Sequence, residues 1–448
     1  MANGYNPPTR THCETCERLK VTDSRVPIIN ANRGKSSSTN GFPFHGWYNF
    51  VLGYAPIFPQ YLIDKEKIGS DYVILDPFAG SGTTQLVCKL NCIPSIGIDA
   101  NDYMIYAAKM KLKWNYELEE LQKQMLNLIT LTELELKKIN WLDEEEIHEM
   151  AEKLRPKDME ERYISDNSII VVYIIKKMIM WCIPEDNKQF FTFALSTILV
   201  PVSNISYGPG FGVSKKKKNI NVLDTYSKKL KSMISDLEKV NRKQIETQSQ
   251  SILGDSREAS RYVEKNTISF IITSPPYPGD HEYTKHSKLE LIFEGMARDI
   301  KEFRVIKKRM LRSSTTNIYK EDCESTLISS FNSIRQVTDE IDRRLKEDGG
   351  TSGFEKLYSR LVCEYFGGMY KALSELFEVL KPGGKIALLV SDSHAFKMVH
   401  IETAAILEEI GKKIGFTNTI IELWQMKSST SHSYEIRENI LIMEKPHS

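Results

Sequence analysis

The chain has 448 residues, 41% of them hydrophobic and 27% charged, and a net charge of +1. That composition excludes disordered, collagenous and membrane-spanning classes and leaves a soluble globular protein of one large interrupted domain or two to three smaller ones. Seven scattered cysteines argue against a disulfide scaffold and for a reducing compartment, and the near-zero net charge means that any surface for a polyanion is local.

Residues 1–40, rich in Pro, Ser, Thr and Asn, read as a flexible tail. Its Cys13 and Cys16 have the spacing of a zinc knuckle but lack a second pair, so no metal site is expected. The first residues have no apolar core of the kind a signal peptide carries, so the expected location is cytoplasmic. Residues 41–111 alternate strand and helix: an apolar strand at Tyr72–Leu75, a Gly-rich turn, a helix from about Thr83, and a second strand ending in Asp99. Residues 112–249 are long, charged and helical. Their most apolar stretch, Ile169–Ile183, is interrupted by Lys176 and Lys177 and is too short to span a bilayer, which predicts a buried helix. Residues 250–285 return to short strands that end in polar loops, one at Asp255 and one at Ser274. Residues 286–352 form a second, irregular insertion. Residues 353–448 predict a long helix (Phe354–Leu380), a strand after "KPGG", a helix (Ile401–Ile414) and two last strands. The fold class is therefore α/β, one mostly parallel sheet interrupted by two large, mainly helical insertions.

Two loops carry chemistry. "DPFAGSGTT" places Gly80 and Gly82 between strand and helix, where the backbone approaches a ligand closely. The third glycine of a dinucleotide fingerprint is missing, and Asp76 in front of the loop would repel a pyrophosphate, so a cationic cofactor fits better. Asp99, at the end of the next strand, is placed to accept from ribose hydroxyls, and Asp255 at the end of a third strand to accept from an adenine amine. Phe78 and Thr83 complete the loop. Adenosine attached to a positively charged amino acid describes S-adenosylmethionine. The second loop, "TSPPY", ends an apolar strand with Pro275 and Pro276, which cannot continue a ladder and hold Ser274 and Tyr277 stiffly.

With these two motifs the chain resembles the amino-group DNA methyltransferases, which methylate the exocyclic nitrogen of cytosine or adenine. The resemblance covers roughly residues 45–111, 250–285 and 355–448 and implies a Rossmann-like class I methyltransferase sheet. It implies "DPFAGSGTT" as the cofactor motif and Ser274, Pro275, Pro276 and Tyr277 as the catalytic motif. The serine form of that motif is typical of cytosine-N4 enzymes; the Asp and Asn forms are typical of adenine-N6 enzymes. Many relatives with a Ser-Pro-Pro-Tyr loop place it before the cofactor motif, whereas here the cofactor motif comes first, as a circular permutation of the sheet would arrange. The implied partner is double-stranded DNA with the target base turned out of the stack, with a cognate restriction endonuclease as a possible companion and no membrane.

The basic run Arg298–Arg312 offers Lys307, Lys308, Arg309 and Arg312 for DNA phosphates, and Lys215 and Lys216 in the first insertion offer a second cluster. Asp280, His281, Glu282 and His286 after the catalytic loop read as loop contacts, not as metal ligands. The expected activity is methylation of cytosine N4. Adenine N6 methylation, an RNA substrate and a catalytically silent DNA-binding subunit are its rivals.

Overall fold

The structure is a computed structural model that describes residues 42–447 apart from 208–210, 214–219, 242–245, 280, 349–352, 395 and 429–434. The tail with Cys13 and Cys16, the Lys215–Lys216 cluster and Asp280 lie outside the described residues.

Among the described residues seven strands form the central sheet: β1 (Ile74–Asp76), β2 (Ser95–Asp99), β3 (Ser249–Leu253), β4 (Ile268–Thr273), β5 (Leu380–Ser391), β6 (Thr417–Ser428) and β7 (Glu435–Glu444). Their order is β3-β2-β1-β4-β5-β7-β6, parallel from β3 to β5, with β7 antiparallel to both its neighbours. This is a doubly wound, Rossmann-like sheet closed at one side by an antiparallel hairpin, the fold class that the alternation of strand and helix predicts. The order reverses between β1 and β4, so the carboxyl ends of β1, β2 and β4 open onto one crevice.

Alternation along the strands assigns the two faces. Ile74, Phe270, Ile272, Leu389, Ile440 and Ile442 face the helices Ile57–Lys65 and Thr83–Leu90. Leu75, Ile271, Ile386, Leu388, Leu441 and Met443 face the helices Asn332–Glu347, Tyr358–Val379 and Thr403–Ile414. Both faces are covered, which is why the parallel strands read as continuous apolar runs.

Among the described residues the first insertion holds five helices, one of them Asp166–Cys182, whose Ile169, Ile170, Val172, Ile175 and Ile179 are buried as the sequence predicts. These helices share one core with the helix Asp102–Leu112 and with the aromatic segment Phe44–Tyr48. Phe44 stacks on Trp114 at 4.6 Å, and Asp236, from the helix Val222–Asn241, accepts from the Phe44 amide at 2.9 Å and from Trp47 Nε1 at 3.1 Å. The second insertion, expected to be irregular, contains the helices Lys288–Phe293, Ile300–Arg309 and Asn332–Glu347. No helix among the described residues is long and apolar enough to cross a membrane.

Candidate active site

A cavity of about 410 Å³ lies in the crevice at the strand ends. One wall is the Gly-rich turn, where Gly80 and Gly82 have φ of +50° and +85°. Those values favour glycine, and a Cβ on Gly82 would sit 3.0 Å from that of Ala108. The turn is fixed from behind. Asp99 accepts from the Gly80 amide with one carboxylate oxygen and from the Asn101 amide with the other, both at 2.8 Å. Burial raises the Asp99 pKa to about 6 against the pull of those two amides. Phe78, Thr83, Asn101 and Ser256 also line the cavity.

The facing wall is the loop Ser274–Tyr277, all four of whose residues reach the cavity. Ser274 Oγ donates to the Leu389 carbonyl of β5 at 2.9 Å. Its single proton is thereby committed, so toward the cavity the oxygen presents only lone pairs. Among the described residues no backbone amide donates to the Pro275 carbonyl. Tyr277 donates to Glu438 on β7 at 3.1 Å, and Glu438, itself buried, also receives Lys427 and Gln425 from β6. Burial and the Glu438 carboxylate push the Tyr277 hydroxyl well above its usual pKa, so the ring is neutral.

Three expectations need correction. Asp76 is fully buried and does not line the cavity. It accepts from Tyr54 and Thr273 hydroxyls at 2.6 Å and from the Phe78 amide at 3.1 Å, tying the Gly-rich turn on β1 to the strand β4, which leads into the Pro-Pro loop. Burial raises its pKa, and these hydrogen bonds oppose the rise. Asp255 is also absent from the cavity lining, because Arg257 captures its carboxylate through Nε and Nη2 at 2.7–3.1 Å. Arg312 is buried in a pair with Asp322 at 2.8 Å and braces the second insertion instead of facing a polyanion. Its neighbours are paired too: Lys307 with Glu282 at 2.8 Å, Lys308 with Glu321 at 2.6 Å, and Arg309 with Asp102. Of these, Arg309 lines the cavity.

Sequence reasoning missed the third wall, Phe50–Ala55, which enters from before β1. Its only signal was the density of aromatic residues between Phe42 and Phe58. It also missed Tyr283, just beyond the loop in the chain, and Lys427 and Glu438, which become neighbours of the loop only when β6 and β7 fold back.

A Gly-rich turn, a carboxylate at the end of β2 and a rigid Pro-Pro loop meet around one crevice. Residues 58–110 match the model of the N6/N4 family described as DNA methylase. The Type II methyltransferase M.BsoBI of Geobacillus stearothermophilus is 26% identical over 479 residues, spanning 96% of this chain and 92% of that protein. The Type II methyltransferase M.AvaI of Nostoc sp. is 24% identical over 455 residues, 89% of this chain and 84% of its own. M.MjaII of Methanocaldococcus jannaschii, also a Type II methyltransferase, is 32% identical over 106 residues, 24% of this chain and 19% of that protein. Over residues 58–110 the chain is thus similar to the N6/N4 DNA methylase family, and over most of its length to Type II methyltransferases.

Proposed function

We propose that the protein is a Type II, site-specific DNA methyltransferase that modifies the N4 amine of cytosine. The observation that carries this reading is the meeting of Ser274–Tyr277 with Gly80, Thr83 and Asp99 around one cavity. Enzymes of this family use S-adenosylmethionine. The cavity suits it: Asp99 has lone pairs for ribose hydroxyls, Phe50 and Phe78 offer apolar surface, and the Gly-rich turn admits the amino-acid portion closely. The cofactor supplies an electrophilic methyl group.

The residues of the chain do the rest. A cytosine amine is a weak nucleophile because its lone pair is delocalised into the ring. Ser274 Oγ, restricted to accepting, and the Pro275 carbonyl would accept hydrogen bonds from the two amine hydrogens and favour the tetrahedral nitrogen whose lone pair is free to attack; the methylated amine then sheds one of those hydrogens as a proton to solvent. Tyr277, tethered to Glu438, would hold the ring of the extruded base by stacking, so that attack follows from orientation. The serine at the head of the motif supports cytosine over adenine. A partner restriction endonuclease belongs to the same proposal.

Calorimetry tests the cofactor half. Asp99→Ala should weaken S-adenosylmethionine binding by about 1.5–3 kcal/mol, the worth of hydrogen bonds to a charged group. Because the Asp99 pKa is raised to about 6, wild-type affinity should also fall as pH drops below that value and the acceptor is protonated. Tight dinucleotide binding with none of S-adenosylmethionine would refute the assignment.

A further inference from the structure

Beside the cavity lies a second, larger groove of about 980 Å³, between the segment after the catalytic loop and the helix Ile300–Arg309. The helix turns one stripe toward it: Ile300, Phe303, Arg304, Lys307 and Lys308 all line it, at the spacing of a single helical face, while Ile306 is buried on the other side. Lys285, Lys288 and Lys320 complete a wall of six cations against two carboxylates, Glu282 and Glu321. Those carboxylates are already engaged by Lys307 and Lys308. Among the described residues, Arg304 and Lys320 have no ion-pair partner, and both are exposed. Like charges held together without counter-charges raise the local potential for an anion.

The groove continues the cavity along the chain. Tyr283 lines the cavity while Glu282 and Thr284 line the groove; Arg309 and Met310 line the cavity while Lys307 and Lys308 line the groove. A strand whose base enters the cavity therefore runs its neighbouring phosphates into the groove. We infer that this groove is the phosphate-binding track for the DNA that flanks the extruded base, with Arg304 and Lys320 as its direct phosphate contacts. The inference rests on the methyltransferase reading and moves the contacts away from the paired Lys307, Lys308 and Arg309.

The test uses the full chain and a random-sequence DNA duplex. Removing one cation that neutralises a phosphate should reduce the steepness of log affinity against log salt by about 0.9, so Arg304→Ala with Lys320→Ala should reduce it by about 1.8. S-adenosylmethionine affinity and melting temperature should stay at wild-type values. The control is Lys346→Ala with Lys413→Ala, which removes the same charge from exposed positions on the sheet-covering helices and should leave the slope unchanged. An unchanged slope in the groove variant, an equal fall in the control, or a fall seen with duplex RNA and not with DNA overturns the groove. If wild-type protein methylates DNA while the groove variant keeps its slope, only the groove falls. If wild type neither binds nor methylates DNA, the methyltransferase reading falls with it.

Discussion

Removing the ring of Tyr277 should abolish most methyl transfer, because stacking on an extruded base is worth about 1–3 kcal/mol. Tyr277→Phe keeps the ring and loses only the hydroxyl's bond to Glu438 and its 3.3 Å contact with Ser274 Oγ, so it should retain much of the activity. Ser274→Ala removes an acceptor that matters most as the amine becomes tetrahedral, so its loss should appear in turnover, with cofactor affinity preserved. Labelled methyl transfer and cofactor binding for the three variants check this; near-normal transfer by both alanine variants would reduce the loop to the end of a strand. That Ser274, Tyr277, Gly80 and Asp99 meet at one crevice was legible in the sequence because glycines and prolines announce backbone geometry, and backbone geometry fixed where these residues point. Asp76 and Asp255 were not. A strand-ending acid reads the same whether it faces a crevice or a buried hydroxyl, and the partners that decided it, Tyr54, Thr273 and Arg257, are invisible as partners until the chain folds.

At the scale of elements, the first insertion is a buttress. Asp236 anchors Phe44 and Trp47, and the chain runs directly from them into the cavity wall Phe50–Ala55. Asp236→Ala strands two buried donors and should destabilise the protein by at least about 1–3 kcal/mol. It should also loosen cofactor binding without touching the cavity; thermal melting and calorimetry read the two effects, and wild-type values in both would detach the insertion from the site. The strands and the long helices were readable because their apolar residues recur with a clean period. The helix Asn332–Glu347 was not, since it buries only Ile334, Ile341 and Leu345 and is otherwise charged. An element that touches the core on so narrow a stripe looks like an irregular loop until its neighbour is known.

Over the whole molecule, stability should carry the signature of buried carboxyls. Glu290, almost fully buried and receiving the Tyr207 hydroxyl at 3.2 Å, has its pKa pushed by burial to about 7 from an unfolded value near 4.5. The native state therefore holds a proton that the unfolded chain has released between those two values, and this contribution to stability is lost as pH rises through about 7. Glu290→Gln keeps an acceptor for Tyr207 without the titration. It should melt above wild type near about pH 8, and the gain should vanish below about pH 4.5. A pH-independent difference would place the effect in packing.

The central claim is the transfer of a methyl group to cytosine N4 in DNA, and it is tested most directly by the modified nucleoside itself. DNA from cells expressing the protein, digested to nucleosides and separated by mass, should contain N4-methylcytosine with wild type and none with Tyr277→Ala. N6-methyladenine in its place would contradict the choice of base, and unmodified DNA from cells making folded, cofactor-binding protein would contradict the activity.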